Sequence, residues 1–233
     1  MSQKAMVFID GGWLYRSRMA LFAKLDEDNF EIDYKKLPFL LCESVADCLD
    51  DDVSLVRTLY FATIPSSRAG FNTSKQYSFY DFLEHSCHYE TDIHESASLP
   101  ESRGGEDVWT KVALSSALMY YAGLPGAFDI AILVSDEPDY TPALRRARLL
   151  GRRVQVVGVH PPGGGAPIPG TSLFTKARVC DFPPLCLDDH AADLRLVRER
   201  LVRICKQCGR EEETTWAGPE FFCSNCRGLH ARQ

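Results

Sequence analysis

The chain has 233 residues, 45% of them apolar and 25% charged, with a formal net charge of −6. Those figures describe a soluble globular chain and exclude a disordered, collagenous or mucin-like one; no apolar run reaches the roughly 20 residues that span a bilayer. The charge is split: residues 1–144 hold 11 Lys and Arg against 23 Asp and Glu, while residues 145–233 hold 15 against 9. The basic part can therefore face nucleic-acid phosphates while the acidic part holds cations.

Apolar runs alternate with amphipathic stretches along the chain. Ala5–Ile9 is a short strand stopped by Asp10-Gly11-Gly12, and helical patterns follow near residues 14–24 and 34–48. Leu55–Ile64 is β-rich and closes at Pro65, with Ser66–Thr73 as a loop behind it. Helices over 74–86 and 107–122 lead to Phe128–Ser135, apolar on both faces as a central parallel strand requires. A helix over 139–150, the strand Val154–Val159 and an exposed Gly/Pro-rich loop, Pro161–Gly170, complete the pattern. Alternation of this kind needs right-handed crossovers and predicts a doubly wound parallel α/β sheet. Residues 1–187 read as this domain, 188–204 as an Arg-rich helical linker and 205–233 as a small zinc module.

The nine cysteines, and an N-terminus that turns charged within MSQKAMVFIDGG, predict a cytoplasmic chain without a signal peptide. Cys205-Lys-Gln-Cys208 and Cys223-Ser-Asn-Cys226 are CxxC knuckles separated by fourteen residues. That spacing resembles a zinc ribbon, in which four thiolates close tetrahedrally around one structural Zn²⁺. Gly209 suits the left-handed turn of a knuckle, and TTWAGPEFF between the pairs reads as a hairpin. So short a module cannot bury a core alone, so the metal supplies its folding free energy.

In doubly wound sheets, chemistry gathers beyond the carboxyl ends of the strands, where strand order reverses. Asp10 ends one strand; Asp136, Glu137 and Asp139 follow another. Carboxylates at two strand ends make an oxygen-lined site suited to Mg²⁺ or Mn²⁺. For Asp136 a helix cap or surface role is the simpler reading.

VFIDGGWLY at Val7–Tyr15 and ILVSDEPDYTPALRRARLLGRRVQVVGV at Ile132–Val159 resemble the NYN domain of the PIN-like nuclease superfamily, LabA-like branch. TSLFTKARVCDF at Thr171–Phe182 is similar to that family's closing segment. The resemblance implies a metal-dependent ribonuclease fold whose acids bind divalent cations against an RNA phosphodiester. Asp10 and Asp139 match family acids. Against the motif S-G-D-S-D-F-x-P, Glu137 replaces the first Asp and Asp136 the Gly; Trp13 stands where relatives have Asn or Tyr. The family's V-D-V-A-L-x-x-D aligns with Thr110–Ala117, which puts Lys111 at a metal-binding Asp and Ala117 at a second acidic position.

Lys111 points inward near its helix start, where its ammonium either replaces a metal or grips a phosphate. Glu106 and Asp107, one turn earlier, either supply the missing carboxylate or compensate the helix dipole; Asp107 also stands i,i+4 from Lys111. Arg145, Arg146, Arg148, Arg152 and Arg153 cluster around the helix after the acidic turn, and Arg195, Arg198, Arg200 and Arg203 recur along the linker. A solvated basic face is the default for these; Arg198, Arg203 and Lys206 are the candidates for RNA phosphate. Trp216, Phe221 and Phe222 read as the core of the zinc module before they read as base-stacking platforms.

Two functions remain. One is a ribonuclease with Asp10, Glu137 and Asp139, and with them Asp107, around Mg²⁺ or Mn²⁺. The other is a catalytically degenerate PIN-like module that binds RNA or a protein. Retention of the acids places the enzyme first; Lys111 and Ala117 keep the second open. A homo-oligomer is compatible with either.

Overall fold

The structure is a computed structural model and describes residues 2–23, 31–66, 72–96, 107–161, 169–176, 179–197, 201–215 and 218–230. It divides into two units, Met1–Arg195 and Leu196–Gln233.

In the first unit, strand β1 (Gln3–Asp10) is buried from Ala5 onward. Successive residues of a strand point to opposite faces. Ala5, Val7 and Ile9 enter one core while Met6 and Phe8 enter another. The strand at Ile130–Val134 repeats the division, with Ile130, Ile132 and Val134 on the first side and Ala131 and Leu133 on the second. Covering on both faces explains why these segments read as unbroken apolar runs. The first core is closed by α1 (Gly11–Ala23), α2 (Leu37–Leu49) and α3 (Ser74–Cys87). The second is closed by α4 (Val108–Gly123) and α5 (Thr141–Leu149).

The remaining strands are β2 (Val53–Pro65), β3 (Glu90–Ser96), β5 (Arg153–Gly158) and β6 (Leu185–Cys186), with β4 the strand at Ile130–Val134. All six pair in parallel, in the order β3-β2-β1-β4-β5-β6. This is the expected doubly wound α/β sheet, and its order reverses between β1 and β4. Two strands are additional to those read from the sequence: β3, a polar edge segment ETDIHES, and β6, which is only two residues long. Neither carries an apolar run.

Asp10 ends β1, and the chain enters α1 at once. A Cβ on Gly11 would lie 2.4 Å from the ring of buried Tyr60, so this close turn admits only glycine.

The expected helix over residues 189–204 is replaced by a short helix α6 (Ala191–Leu194) and, in the second unit, a strand β7 (Leu201–Ile204). Val202 and Ile204 are β-branched and favour extended backbone. β7 pairs antiparallel with β8 (Glu211–Thr214), setting Arg203 opposite Glu212, a favourable cross-strand pair. The hairpin therefore wraps the first cysteine knuckle instead of lying between the two knuckles. Helix α7 (Ser224–His230) follows. Among the described residues no helix is long and apolar enough to cross a membrane.

Candidate active site

The strand-order reversal brings the end of β1 beside the turn after β4. Asp10, only 3% exposed, accepts the backbone N–H of Trp13 at 2.8 Å and the hydroxyl of Tyr140 at 2.7 Å. Both donors are neutral. Burial outweighs these hydrogen bonds and pushes its pKa up to about 6.

After β4, a 3-10 turn over Pro138–Tyr140 carries Asp139, with Glu137 at its start. Glu137 Oε1 accepts from Arg16 at 2.7 Å. Its Oε2 is buried and forms an ion pair with Lys111 Nζ at 3.0 Å. The same ammonium donates to Asp139 Oδ2 at 2.5 Å. Burial alone would depress the Lys111 pKa, but Asp139 and Glu137 together hold it above the ordinary lysine range. Lys111 is therefore held charged between two carboxylates.

Lys111 gets there because Asp107 caps α4. Asp107 accepts the Thr110 N–H at 3.1 Å and the hydroxyls of Thr110 and Thr63 at 2.7 and 2.8 Å. The capping role is thus the one observed, yet the carboxylate also borders the site. A Cβ on Gly12 would lie 3.4 Å from Asp10 Oδ1 and 3.7 Å from Asp107 Oδ2. Ala117 is placed elsewhere: six residues further along α4, about 9 Å down the axis, it lines a groove with Phe61, Glu90 and Tyr120.

Two departures from the resembled motif meet each other. Trp13 Nε1 donates to Asp136 Oδ1 at 2.7 Å, and Asp136 is raised in pKa chiefly by its burial. A third departure is Tyr140, which stands where that motif has Phe and whose hydroxyl is the one Asp10 accepts. Neither Arg16 nor Tyr140 was singled out from the sequence. Their partners lie 121 and 130 residues away, so only the fold reveals them.

The site is thus a ring of acids, Asp10, Asp107, Glu137 and Asp139, with two built-in cations. Oxygen donors of this kind fit Mg²⁺ or Mn²⁺ in chemistry. Among the described residues, however, Asp10, Glu137 and Asp139 do not gather within 4.8 Å as one ligand group. Glu137 and Asp139 are turned onto Arg16 and Lys111 instead. Asp10 and Asp107 are the acids whose hydrogen bonds, among the described residues, involve no cation.

In the second unit, the sulfurs of Cys205, Cys208, Cys223 and Cys226 lie within 4.8 Å of one another, with Cys208 and Cys223 3.6 Å apart. Gly209 takes φ +70°, and its N–H closes the first knuckle onto the Cys205 carbonyl at 2.9 Å. Backbone N–H groups, that of Cys223 first, pull the Cys205 thiol down to about 6. A closed set of four thiolates is compatible with a zinc ribbon. Buried Phe221 packs beside the cysteines, with Phe222 against them.

The basic residues are largely engaged within the protein. Arg203 donates to the Gly218 carbonyl at 2.8 Å, and Lys206 pairs with Glu220. Arg198, Arg200, Glu106 and Trp216 lie outside the described residues. Arg148 binds Asp181 through Nε and Nη2 at 2.9 and 2.6 Å. Arg152 reaches the carbonyls of Ala122, Leu124 and Phe128 at 3.0, 2.8 and 2.6 Å, clamping the C-terminal end of α4.

The crevice at the switch point of an open parallel α/β sheet is where such domains bind their ligands, and here acids line it. This chain belongs to the NYN domain family, which matches residues 4–168; that family lies within the PIN-like nuclease superfamily, an affiliation that suggests RNase activity. The fold is also similar to the crystal structure of a protein of unknown function from Vibrio parahaemolyticus. The two are 18% identical with a TM-score of 0.51, over 84% of this chain and 97% of that one. No curated protein matches the chain.

Proposed function

We propose that this chain, on the LabA-like branch of its family, is a divalent-metal-dependent ribonuclease acting on RNA phosphodiesters at the crevice between β1 and β4. The carrying observation is Asp10: a carboxylate 3% exposed whose hydrogen bonds come from two neutral groups. A buried acid of this kind calls for a cation. Asp10, Glu137 and Asp139, bordered by Asp107, would hold Mg²⁺ or Mn²⁺. Such an ion, when bound, supplies activation of water and neutralisation of phosphate charge.

The chain's own residues do the rest. Tyr140 and the Trp13 amide fix the Asp10 carboxylate. Lys111, on a long flexible stem, transfers its ammonium from Glu137 and Asp139 to a substrate phosphate. The four cysteines would hold one structural Zn²⁺, and Arg198, Arg203 and Lys206 would add phosphate contacts. Clustered thiolates fit a reducing, cytoplasmic setting.

A second reading is a degenerate module that binds RNA or a protein partner. It is favoured by the ion pairs of Lys111 and Arg16, which already neutralise Glu137 and Asp139. Incubating the intact chain with labelled single-stranded RNA separates the two. Cleavage that needs Mn²⁺ or Mg²⁺ and stops in EDTA supports the enzyme; RNA bound and left whole under every metal supports the second reading.

A further inference from the structure

A second cluster of ligating side chains lies at the β6 edge of the sheet, at the carboxyl end of β5. In the β5–β6 ladder Gly158 is paired with Cys186. Beyond that pair the chain leaves β6 in a 3-10 helix over Leu187–His190, and the His160 N–H donates to Asp188 Oδ1 at 3.1 Å. The turn places Asp188 beside both Cys186 and His160. The Asp188 carboxylate is buried; its two oxygens lie 3.1 and 3.0 Å from His160 Nδ1, and Asp189 Oδ1 stands 3.8 Å from the same nitrogen. One ligand atom each from His160, Cys186 and Asp188 falls within 4.8 Å of the other two.

That mutual proximity selects among the chemistries of a Cys-His-Asp set. A thiol nucleophile activated by a histidine, itself oriented by a carboxylate, needs the thiol and the carboxylate at opposite ends of the imidazole ring. Here the sulfur and a carboxylate oxygen approach each other as well as the ring. Around a tetrahedral zinc with Zn–N and Zn–O near 2.1 Å and Zn–S near 2.3 Å, neighbouring donor atoms sit about 3.3–3.6 Å apart. Small side-chain rotations reach that spacing.

We propose that His160, Cys186 and Asp188 form a second metal site for a zinc-class divalent cation, separate from both the acidic crevice and the four-cysteine group. Thiolate with imidazole and one carboxylate selects a borderline ion such as Zn²⁺ over Mg²⁺ or Mn²⁺. Entry from solvent is available, because the His160 side chain is 42% exposed. The ion ties β5 to β6 just beyond a ladder of only two residue pairs, and so pins the edge of the sheet.

The test counts Zn²⁺ per intact chain by native mass spectrometry after loading with Zn²⁺ alone and desalting. Two ions are expected in the wild type. One should be lost in Cys186→Ser, in His160→Ala and in Asp188→Asn, the last of which keeps an oxygen for the His160 amide. Cys208→Ser combined with Cys223→Ser should also leave one ion, and adding Cys186→Ser should then leave none. Circular dichroism matching wild type checks that the Cys186, His160 and Asp188 variants fold. A single ion in the wild type that vanishes with Cys208→Ser and Cys223→Ser overturns the site. So does a second ion that survives Cys186→Ser and Asp188→Asn, or that disappears only in Asp10→Asn.

Discussion

Lys111 Nζ lies 3.0 Å from Glu137 Oε2, a buried carboxylate oxygen. The position that a motif acid would occupy is thus filled by the opposite charge, and that charge is used. Replacing it by Met removes the cation and leaves the carboxylate behind. Lys111→Met is expected to cost about 1–3 kcal/mol in metal-free buffer, read from urea denaturation. Mn²⁺ should raise the melting temperature of the variant more than that of wild type, because Glu137 and Asp139 then lack their ammonium. Equal responses would show that no divalent ion uses these carboxylates.

Asp10 sets a pH dependence of definite sign. Its folded pKa, about 6, lies above the model-peptide value of 3.8, so between these values the folded state binds the extra proton. In EDTA the contribution of Asp10 to stability is fully retained below about pH 4 and lost as pH rises through 6. Asp10→Asn keeps an acceptor for Trp13 without the charge. It should therefore be more stable than wild type at pH 8, by on the order of 2–3 kcal/mol, with the gap closing by pH 4. Thermal melts across that range check it; a gap that grows as pH falls would reverse the sign.

Arg152 is a structural clamp, although by sequence it belongs to a basic cluster. Arg152→Ala strands the carbonyls of Ala122, Leu124 and Phe128 and should cost about 2–4 kcal/mol. Arg152→Lys should recover less than half of this, since an ammonium cannot fork to three acceptors. RNA affinity at fixed salt should stay unchanged in Arg152→Lys, measured by fluorescence anisotropy.

The strands that carry the site were legible because burial on both faces leaves unbroken apolar runs, as in FDIAILVS before Asp136. β3 was not, because an edge strand covered on one side keeps polar residues such as Glu90, Asp92 and Glu95. The paired cysteine knuckles were legible from spacing alone, but the hairpin expected between them was displaced. Four residues, Leu201–Ile204, follow an Arg-rich segment and carry no periodicity long enough to separate strand from helix. Within the candidate site, Asp10, Glu137 and Asp139 drew attention by their place at strand ends and Lys111 by the family resemblance. Arg16 and Tyr140 could not, because a contact across more than a hundred residues leaves no local pattern.

Removal of metal from the four-cysteine group should act on the second unit alone. A strong chelator is expected to collapse the amide resonances of residues 201–230 into the unfolded range while those of β1 and β4 stay in place, because the sheet has cores of its own. Unmoved resonances throughout would argue against a metal-dependent fold for this unit.

Whether the acids at the ends of β1 and β4 hold a divalent cation is settled by a crystal of the intact chain soaked in Mn²⁺ and measured for anomalous scattering. An anomalous peak is expected in contact with Asp10 and Asp139, with the Lys111 ammonium moved away from Glu137. An empty crevice with Lys111 still bridging Glu137 and Asp139 would rule out a metal-dependent nuclease here.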